Sequence, residues 1–154
     1  MAVDIYKIPK IGGTATTLTY YADQPEDIAI DKSYVYWAES NGGPYDYTGV
    51  RKVPINGGDV ITLSTNGFER TLAINDTHVF FSYVIQQWSD EIPAVYIAKI
   101  NKQGGNVIVL ASHSTIRSYP SKITVDDSFV YWVETAGTID KVSINGGMIT
   151  NIAA

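Results

Sequence analysis

Short apolar runs alternate with turn-forming polar residues along the whole chain. The clearest example has an apolar run at 123–125, the polar triplet 126–128 (Asp-Asp-Ser), and then a β-branched and aromatic run at 129–134. Asp, Asn and Ser favour turns because they bond to their own backbone, and β-branched and aromatic residues favour strands. No helix cap is followed by an amphipathic stretch of ten or more residues. The pattern therefore predicts β-hairpins throughout and an all-β fold.

The hairpins repeat in a fixed order. Segment 123–134 has earlier versions at 28–39 and 72–83, with the turn triplets Asp31-Lys32-Ser33 and Asn75-Asp76-Thr77. A second unit ends in a Gly-Gly pair, and the first glycines of the four pairs lie 45, 47 and 42 residues apart. A period of this length is typical of β-propeller blades.

The Gly-Gly unit carries its own turn and charge pattern. Asn56-Gly57 and Asn145-Gly146 predict two-residue hairpin turns, in which both central residues have positive φ. A lysine recurs at one place before each pair, on what we interpret as an outer strand, where a charge discourages edge-to-edge pairing. These lysines are Lys7, Lys52, Lys99 and Lys141.

Together the two units predict one β-propeller segment. We expect three four-stranded blades preceded by an N-terminal two-stranded half-blade, with the first strand of each blade nearest the axis. The predicted ranges are 4–19 for the half-blade and 27–64, 71–111 and 122–152 for the blades.

The repeat resembles a known family. Segment 28–31 (Ile-Ala-Ile-Asp), segment 34–39 (Tyr-Val-Tyr-Trp-Ala-Glu) and segment 51–58 resemble the blade signature of YWTD-type β-propellers and their bacterial relatives, over nearly the whole chain. The chain departs from that pattern at Glu39 and Glu134, where the family has aspartate, and in the middle copy. The resemblance implies a ring of about six blades, and an extracellular or cell-surface location.

Composition narrows the function. A net charge of −5 and a pI near 4.8 argue against a nucleic-acid partner, because phosphate binding needs a concentrated basic surface. The chain has no cysteine, no run long enough to span a membrane, and no basic segment followed by an apolar run at its N-terminus. We expect no membrane partner and no signal peptide in this sequence.

Three blades are too few to close such a ring. An open arc leaves two sheet faces in water, and burying one aromatic side chain is worth about 1.5 to 3 kcal/mol. We expect these faces to carry residues of the following set: Tyr36, Trp37, Phe80, Phe81, Tyr131 and Trp132. The sequence therefore predicts a homo-oligomer, in which two copies associate head to tail into a closed ring.

Ligand-binding residues are expected on the longest loops. The loops between the second and third strands are long in blades 1 and 2 and short in blade 3, and lengthened loops on a repeat scaffold often carry binding. Their aromatic and charged residues suit a peptide or carbohydrate ligand. The alternative is that the aromatics pack onto their own blades. The candidates are Tyr45, Asp46, Tyr47, Trp88, Asp90, Glu91 and Arg117.

Catalysis has less support. The two histidines, His78 and His113, are expected on opposite faces of the blades, so we predict no metal, no cofactor and no catalytic residue. The leading interpretation is a non-enzymatic binding or assembly module. Two alternatives are a metal-assisted lyase, which propellers similar to this one include, and a lectin with one sugar site per blade.

Overall fold

The chain folds as a β-propeller segment. The computed structural model describes residues 2–40, 49–85, 92–114 and 118–153, and within these ranges every regular element is a strand. The strands form one two-stranded and three four-stranded antiparallel sheets, in each of which neighbours in sequence are neighbours in space. This arrangement confirms the predicted fold class of three blades preceded by a half-blade.

The sheets are named here by their position along the chain. The half-blade consists of β1 (Ala2–Lys7) and β2 (Thr16–Asp23). Blade 1 consists of β3 (Pro25–Ile30), β4 (Tyr34–Glu39), β5 (Gly49–Pro54) and β6 (Ile61–Ser64). Blade 2 consists of β7 (Phe68–Ile74), β8 (His78–Ile85), β9 (Ala94–Asn101) and β10 (Ile108–Ser114). Blade 3 consists of β11 (Pro120–Val125), β12 (Phe129–Glu134), β13 (Ile139–Ser143) and β14 (Thr150–Ala153).

The sheets extend two to four residues past most of the predicted ranges, mainly at one edge. At this edge the first strand of each blade has a β-bulge, where pairing skips one residue before it resumes. The skipped residues are Glu26, Arg70 and Ser121. Because a bulge interrupts the alternation of side chains, a two-residue sequence period does not reveal that the strand continues.

The turns between first and second strands form as the sequence predicts. Asp31 Oδ1 accepts hydrogen bonds from the backbone N–H groups of Ser33 and Tyr34, at 2.8 and 2.9 Å. Asn75 and Asp126 do the same in blades 2 and 3. These residues therefore serve as turn formers.

The predicted two-residue Asn-Gly turns are wrong. Strand β5 ends at Pro54 and β6 begins at Ile61, and Gly57 N–H donates to the Pro54 carbonyl at 2.8 Å. Gly57 and Gly58 have positive φ, of 85° and 138°, whereas Asn56 does not. Since only the glycines adopt the left-handed conformation, the connection is a four-residue turn that ends at Gly57 and is followed by Gly58.

Three apolar clusters hold the sheets together. They lie between the half-blade and blade 1, between blades 1 and 2, and between blades 2 and 3. The half-blade places Ile5, Leu18 and Ala22 against Trp37. It thereby covers the face of blade 1 that points away from blade 2. Of the six aromatics expected in water, only Tyr131 is partly exposed and the other five are buried. The expectation was wrong for those five because each has a neighbouring sheet.

The recurring lysines connect neighbouring sheets. Lys7 Nζ donates to the Ile55 carbonyl of blade 1 at 2.8 Å, and Lys52 Nζ donates to the Lys102 carbonyl of blade 2 at 2.5 Å. Lys99 Nζ donates to the Ile144 carbonyl of blade 3 at 2.7 Å. Each acceptor lies three residues after the equivalent lysine of the next blade. These three lysines are clamp lysines, and interpreting them as edge protection was wrong.

A polar cluster joins the first strands of all three blades. The Asp27 carboxylate accepts hydrogen bonds from Thr71 Oγ1 at 2.7 Å, from the Leu72 N–H at 3.0 Å and from Lys122 Nζ at 2.7 and 2.9 Å. Thr71 Oγ1 in turn accepts from the Ile123 N–H at 3.0 Å. Burial raises the pKa of Asp27, but these bonds outweigh it and the pKa is lowered. Thr71 is therefore the central member of a bridge from blade 1 to blade 3.

We expect Thr71→Val to lower the free energy of unfolding by about 1 to 3 kcal/mol, because it leaves the buried Ile123 N–H and the Asp27 carboxylate each short of one partner. Chemical denaturation followed by circular dichroism measures this change. Thr150→Val, at an exposed strand position, is the matched control and should change stability little. Equal stability of the two variants would contradict this role of Thr71.

Candidate functional site

The predicted ligand residues belong to one edge of the sheets. Second strands end there, third strands begin there, and the chain enters each following blade there, so this edge is called the loop face. All seven predicted ligand residues lie outside the described residues: Tyr45, Asp46, Tyr47, Trp88, Asp90, Glu91 and Arg117. The described residues at the loop face are therefore the strand ends from which these loops leave.

A cavity of about 280 Å³ lies at the loop face. Its lining comes from all three blades: Gln24, Ser40, Phe68, Arg70, Val84, Pro93 and Tyr119. The Arg70 guanidinium lies 5.0 Å from the centroid of the Tyr119 ring, within the range of a cation–π contact. The cavity thus combines one cation, two aromatic rings and further apolar side chains, a set that suits a small polar or anionic group with an apolar part.

Arg70 was not identified by the sequence analysis. Arg70 is the bulge residue of β7, skipped between the pairs Glu69–Tyr83 and Thr71–Ser82. Bulges redirect a side chain, and they are frequent beside functional sites. A strict two-residue period assigns Arg70 to the wrong face, so no signal in the sequence pattern could have found it.

A second polar arrangement lies between blades 2 and 3. The buried Glu134 accepts hydrogen bonds from Trp132 Nε1 at 2.8 Å and from Ser118 Oγ at 2.8 Å, and His113 Nε2 lies 3.3 Å from its Oε1. Burial raises the pKa of Glu134, but the bonds from His113, Ser118 and Trp132 outweigh it, so the pKa is lowered. The glutamate that departs from the family pattern therefore makes an inter-blade contact.

Blade 1 repeats the indole–carboxylate pair, with Arg51 in place of His113. Trp37 Nε1 donates to Glu39 Oε2 at 2.8 Å, and Arg51 Nε forms an ion pair with Glu39. Glu39 is fully buried. The Trp-x-Glu sequence thus places a carboxylate within hydrogen-bond distance of each of these two indole nitrogens.

The two histidines lie in different surroundings. His78 Nδ1 is 2.7 Å from Thr77 Oγ1 in the turn between β7 and β8, and burial followed by the Lys99 charge lowers its pKa. His113 faces Glu134 on the other side of the blade. Among the described residues, no three or more His, Cys, Asp or Glu side chains are grouped in a way that could hold a metal ion. The described ranges likewise contain no helix of the length and apolarity that crossing a bilayer requires.

Within the described part of the chain, no sheet covers the face of blade 3 that points away from blade 2. Ile139 is 39% exposed, whereas the residues at the same repeat position, Val50 and Ile97, are 0% exposed. Ile152 is 50% exposed, and its equivalents Leu63 and Leu110 are buried. The exposed residues differ from the buried ones in lacking a following blade. Val133, Ile139 and Ile152, together with Tyr131, define the C-terminal open face.

The N-terminal end is uncovered in a matching way. Ile8 is 61% exposed, while its equivalents in the three blades, Val53, Ile100 and Val142, are essentially buried. Tyr6 beside it is also exposed. On β3, Ile28 and Ile30 are exposed, because the half-blade has only the third and fourth strands and supplies no inner pair. Tyr6 and Ile8 define the N-terminal open face.

Comparison with known proteins identifies the fold and nothing finer. No protein-family model and no curated protein sequence matches this chain. Among solved structures, a mutant of the Synechocystis apocarotenoid oxygenase superposes with a TM-score of 0.52 at 14% identity. A chimera of that oxygenase, ACO, and RPE65 superposes with a TM-score of 0.51 at 14% identity. Each match covers 97% of this chain but only 43% of the solved chain, and both structures are β-propeller enzymes.

We expect Glu134→Gln to make stability less sensitive to acid. Because the pKa of Glu134 is lower in the folded protein than its ordinary value of 4.5, its ionised form stabilises the fold above about pH 4.5, and this contribution is lost as the pH falls through the lower, folded-state pKa. Chemical denaturation between pH 3 and pH 6 measures the free energy of unfolding, which should change less steeply with pH in the variant than in the wild type. Asp76→Asn, at an exposed turn, is the control, and a slope in Glu134→Gln equal to that of the wild type would contradict the assignment.

Proposed function

We propose that this chain is a non-enzymatic β-propeller module that binds and assembles through its two open faces, with two copies closing a ring head to tail. In such a ring the C-terminal open face of one copy covers the N-terminal open face of the other. The contact is heterologous, and rotation closes it after two copies. The YWTD-type kinship of the repeat and the number of blades in the ring belong to this proposal.

The observation that carries the proposal is the exposure of Ile139, Ile152 and Ile8 at positions that every internal junction buries. An apolar side chain of this size gains about 1.5 to 3 kcal/mol on burial, and the domain as a whole is held by roughly 5 to 15 kcal/mol. Covering several of them at once is therefore a substantial driving force. The covering surface that fits is another sheet of the same repeat, because the repeat sets the spacing of the apolar residues.

The loop face supports a second element of function, the binding of a small ligand. The cavity between Arg70 and Tyr119 is lined from all three blades, and the seven predicted ligand residues belong to loops or connections that leave the same face. The ligand class that these side chains favour is a peptide or a carbohydrate that carries a polar or anionic group. This proposal does not depend on closure of the ring.

An enzymatic alternative has weaker support. A metal-assisted lyase needs several ligands around one ion, and the sequence contains only two histidines, of which His113 is engaged with Glu134. The oxygenase among the structural neighbours lends no activity to this chain, because 14% identity carries the fold alone. One equivalent of tightly bound metal in the purified protein would favour the enzyme over the binding module.

We expect the wild-type protein to sediment at micromolar concentration with twice the 16.9 kDa mass of one chain. Ile139→Ser should raise the dimer dissociation constant by about tenfold or more, because it removes a buried apolar contact from each junction. Sedimentation velocity over a concentration series measures both. Ile108→Ser is the control, since Ile108 is 50% exposed on the outer strand of an internal blade. A wild-type chain that stays monomeric throughout the series would refute the assembly.

We expect Arg70→Ala to abolish the binding of any ligand that the wild-type protein selects from a glycan array or a peptide library, because Arg70 is the cation that lines the cavity. Lys32→Ala, an exposed turn residue at the opposite edge, is the control and should bind like the wild type. Ligands selected by the wild-type protein and bound equally by Arg70→Ala would show that the cavity is not the site.

A further inference from the structure

The junction between blades 1 and 2 contains an ion pair in addition to the clamp lysine. Lys52 Nζ donates to the Lys102 carbonyl at 2.5 Å, and Lys102 Nζ donates back to Asp31 Oδ2 at 2.7 Å. Lys102 is 8% exposed, so this ion pair is mostly removed from water. Its bond, together with those from Ser33, Tyr34 and Tyr36, outweighs desolvation and keeps the pKa of Asp31 well below its ordinary value.

The next junction keeps the clamp and omits the charges. Lys99 Nζ still donates to the Ile144 carbonyl, at 2.7 Å. At the positions of Asp31 and Lys102, however, this junction has Asn75 and Ile144. Asn75 makes the same turn bonds that Asp31 makes. The junction between blades 1 and 2 therefore combines an aspartate with a lysine. The junction between blades 2 and 3 combines an asparagine with an isoleucine at the same positions.

The two ends of the chain carry the charged combination. At the position of Asp31, blade 3 has Asp126, and at the position of Lys102, three residues after the lysine of its third strand, the half-blade has Lys10. Lys10 cannot pair with Asp126 of its own copy through this junction, since the half-blade packs on blade 1, on the side away from blade 2. Lys10 is exposed, and the described residues contain no ion pair that involves it.

Blade 3 has the same local geometry as blade 1, without the partner. Tyr131 OH donates to Asp126 Oδ2 at 2.7 Å, as Tyr36 OH donates to Asp31 Oδ2 at 3.0 Å. Lys141 Nζ lies 4.2 Å from the centroid of the Phe129 ring, as Lys52 Nζ lies 4.3 Å from that of Tyr34.

The half-blade also keeps the turn that holds the receiving lysine. The Gly12 N–H donates to the Pro9 carbonyl at 2.9 Å, as the Gly104 N–H donates to the Asn101 carbonyl at 2.9 Å. Lys10 and Lys102 are therefore the second residues of the same kind of turn. Both sides of the charged junction are present at the two ends of one chain.

We propose that Lys10 of a second copy of this chain docks on blade 3, where its Nζ pairs with Asp126 and its carbonyl accepts a hydrogen bond from Lys141. The inference rests on the proposed self-assembly and specifies its partner and its register. A head-to-tail dimer contains this junction twice. An unrelated partner would need a cation and a free carbonyl at the same spacing, which Lys10 supplies within one residue.

The internal junctions provide the variants for a double-mutant cycle. Asp126→Asn reproduces Asn75 and keeps the turn, while Lys10→Ile reproduces Ile144. Each single variant leaves one charge buried without its partner, so we expect each to raise the dimer dissociation constant roughly tenfold or more. The double variant reproduces the neutral junction between blades 2 and 3, and we expect its dissociation constant to return to within about threefold of the wild-type value.

Sedimentation velocity of the four proteins measures the cycle, and circular dichroism confirms that each is folded. Asp127→Asn and Lys32→Ile, at exposed turn positions next to the pair and its equivalent, are the matched controls and should leave association unchanged. Recovery in the double variant supports the junction. Additive losses, or single variants that associate like a dimeric wild type, would overturn it while leaving the self-assembly intact. A wild type that is monomeric at all concentrations would overturn both.

Discussion

The structure depends on one constraint, which is that a blade has two apolar faces, and each face is buried only where a neighbouring sheet covers it. Phe80 of blade 2 contacts the cluster shared with blade 3, and Phe81, the next residue, contacts the cluster shared with blade 1. Strand alternation therefore distributes adjacent residues between two different interfaces. Among the described residues each apolar cluster belongs to a pair of sheets and none to a single blade, as is general for repeat proteins.

Polar groups fix the position of each sheet relative to the next. The clamp lysines connect third strands to the following turn, and the cluster around Asp27 and Thr71 connects the first strands near the axis. Glu134 does the same for the second strand of blade 3, through His113 of blade 2. Because these bonds are directional and the apolar contacts are not, the polar groups determine the registration of the blades, while the apolar clusters supply most of the stability.

The blade order, the strand pairing and the turns between first and second strands could be predicted from the sequence because all three are local and repeated. Asp31 and Asp126 are typical of this, since each bonds to its own backbone. What could not be predicted depends on contacts between blades. The clamp role of Lys52 requires knowledge of where the Lys102 carbonyl lies, and the bulge that displaces Arg70 interrupts the period from which orientation is inferred. Trp37 was wrongly expected in water because the half-blade's packing side is not encoded locally.

The predicted ligand residues show a different limit. The lengthened loops predict ligand binding at the loop face, and Tyr45, Trp88 and Arg117 lie outside the described residues. A long loop indicates where the chain leaves the sheet, and it does not indicate where a side chain in the loop points. The cavity beside Arg70 and Tyr119 is lined by residues at or next to strand ends, and the repeat determines where the strands end.

All blades have apolar residues at the same repeat positions, so the proposed assembly needs charged residues at the open ends to select its partner. Ile139 and Ile152 would pack on any sheet of this repeat, because Val53, Ile100 and Val142 occupy the receiving position in every blade. Apolar complementarity alone therefore does not distinguish the N-terminal open face from an internal blade that is transiently exposed during folding. Blade 1 carries Ile55 and blade 3 carries Ile144 at the position of Lys10, so neither could neutralise Asp126. Only blade 2 and the half-blade could, and blade 2 is already covered by blade 1. In the proposed assembly the apolar faces would supply the affinity, and one aspartate and one lysine would restrict it to the correct partner.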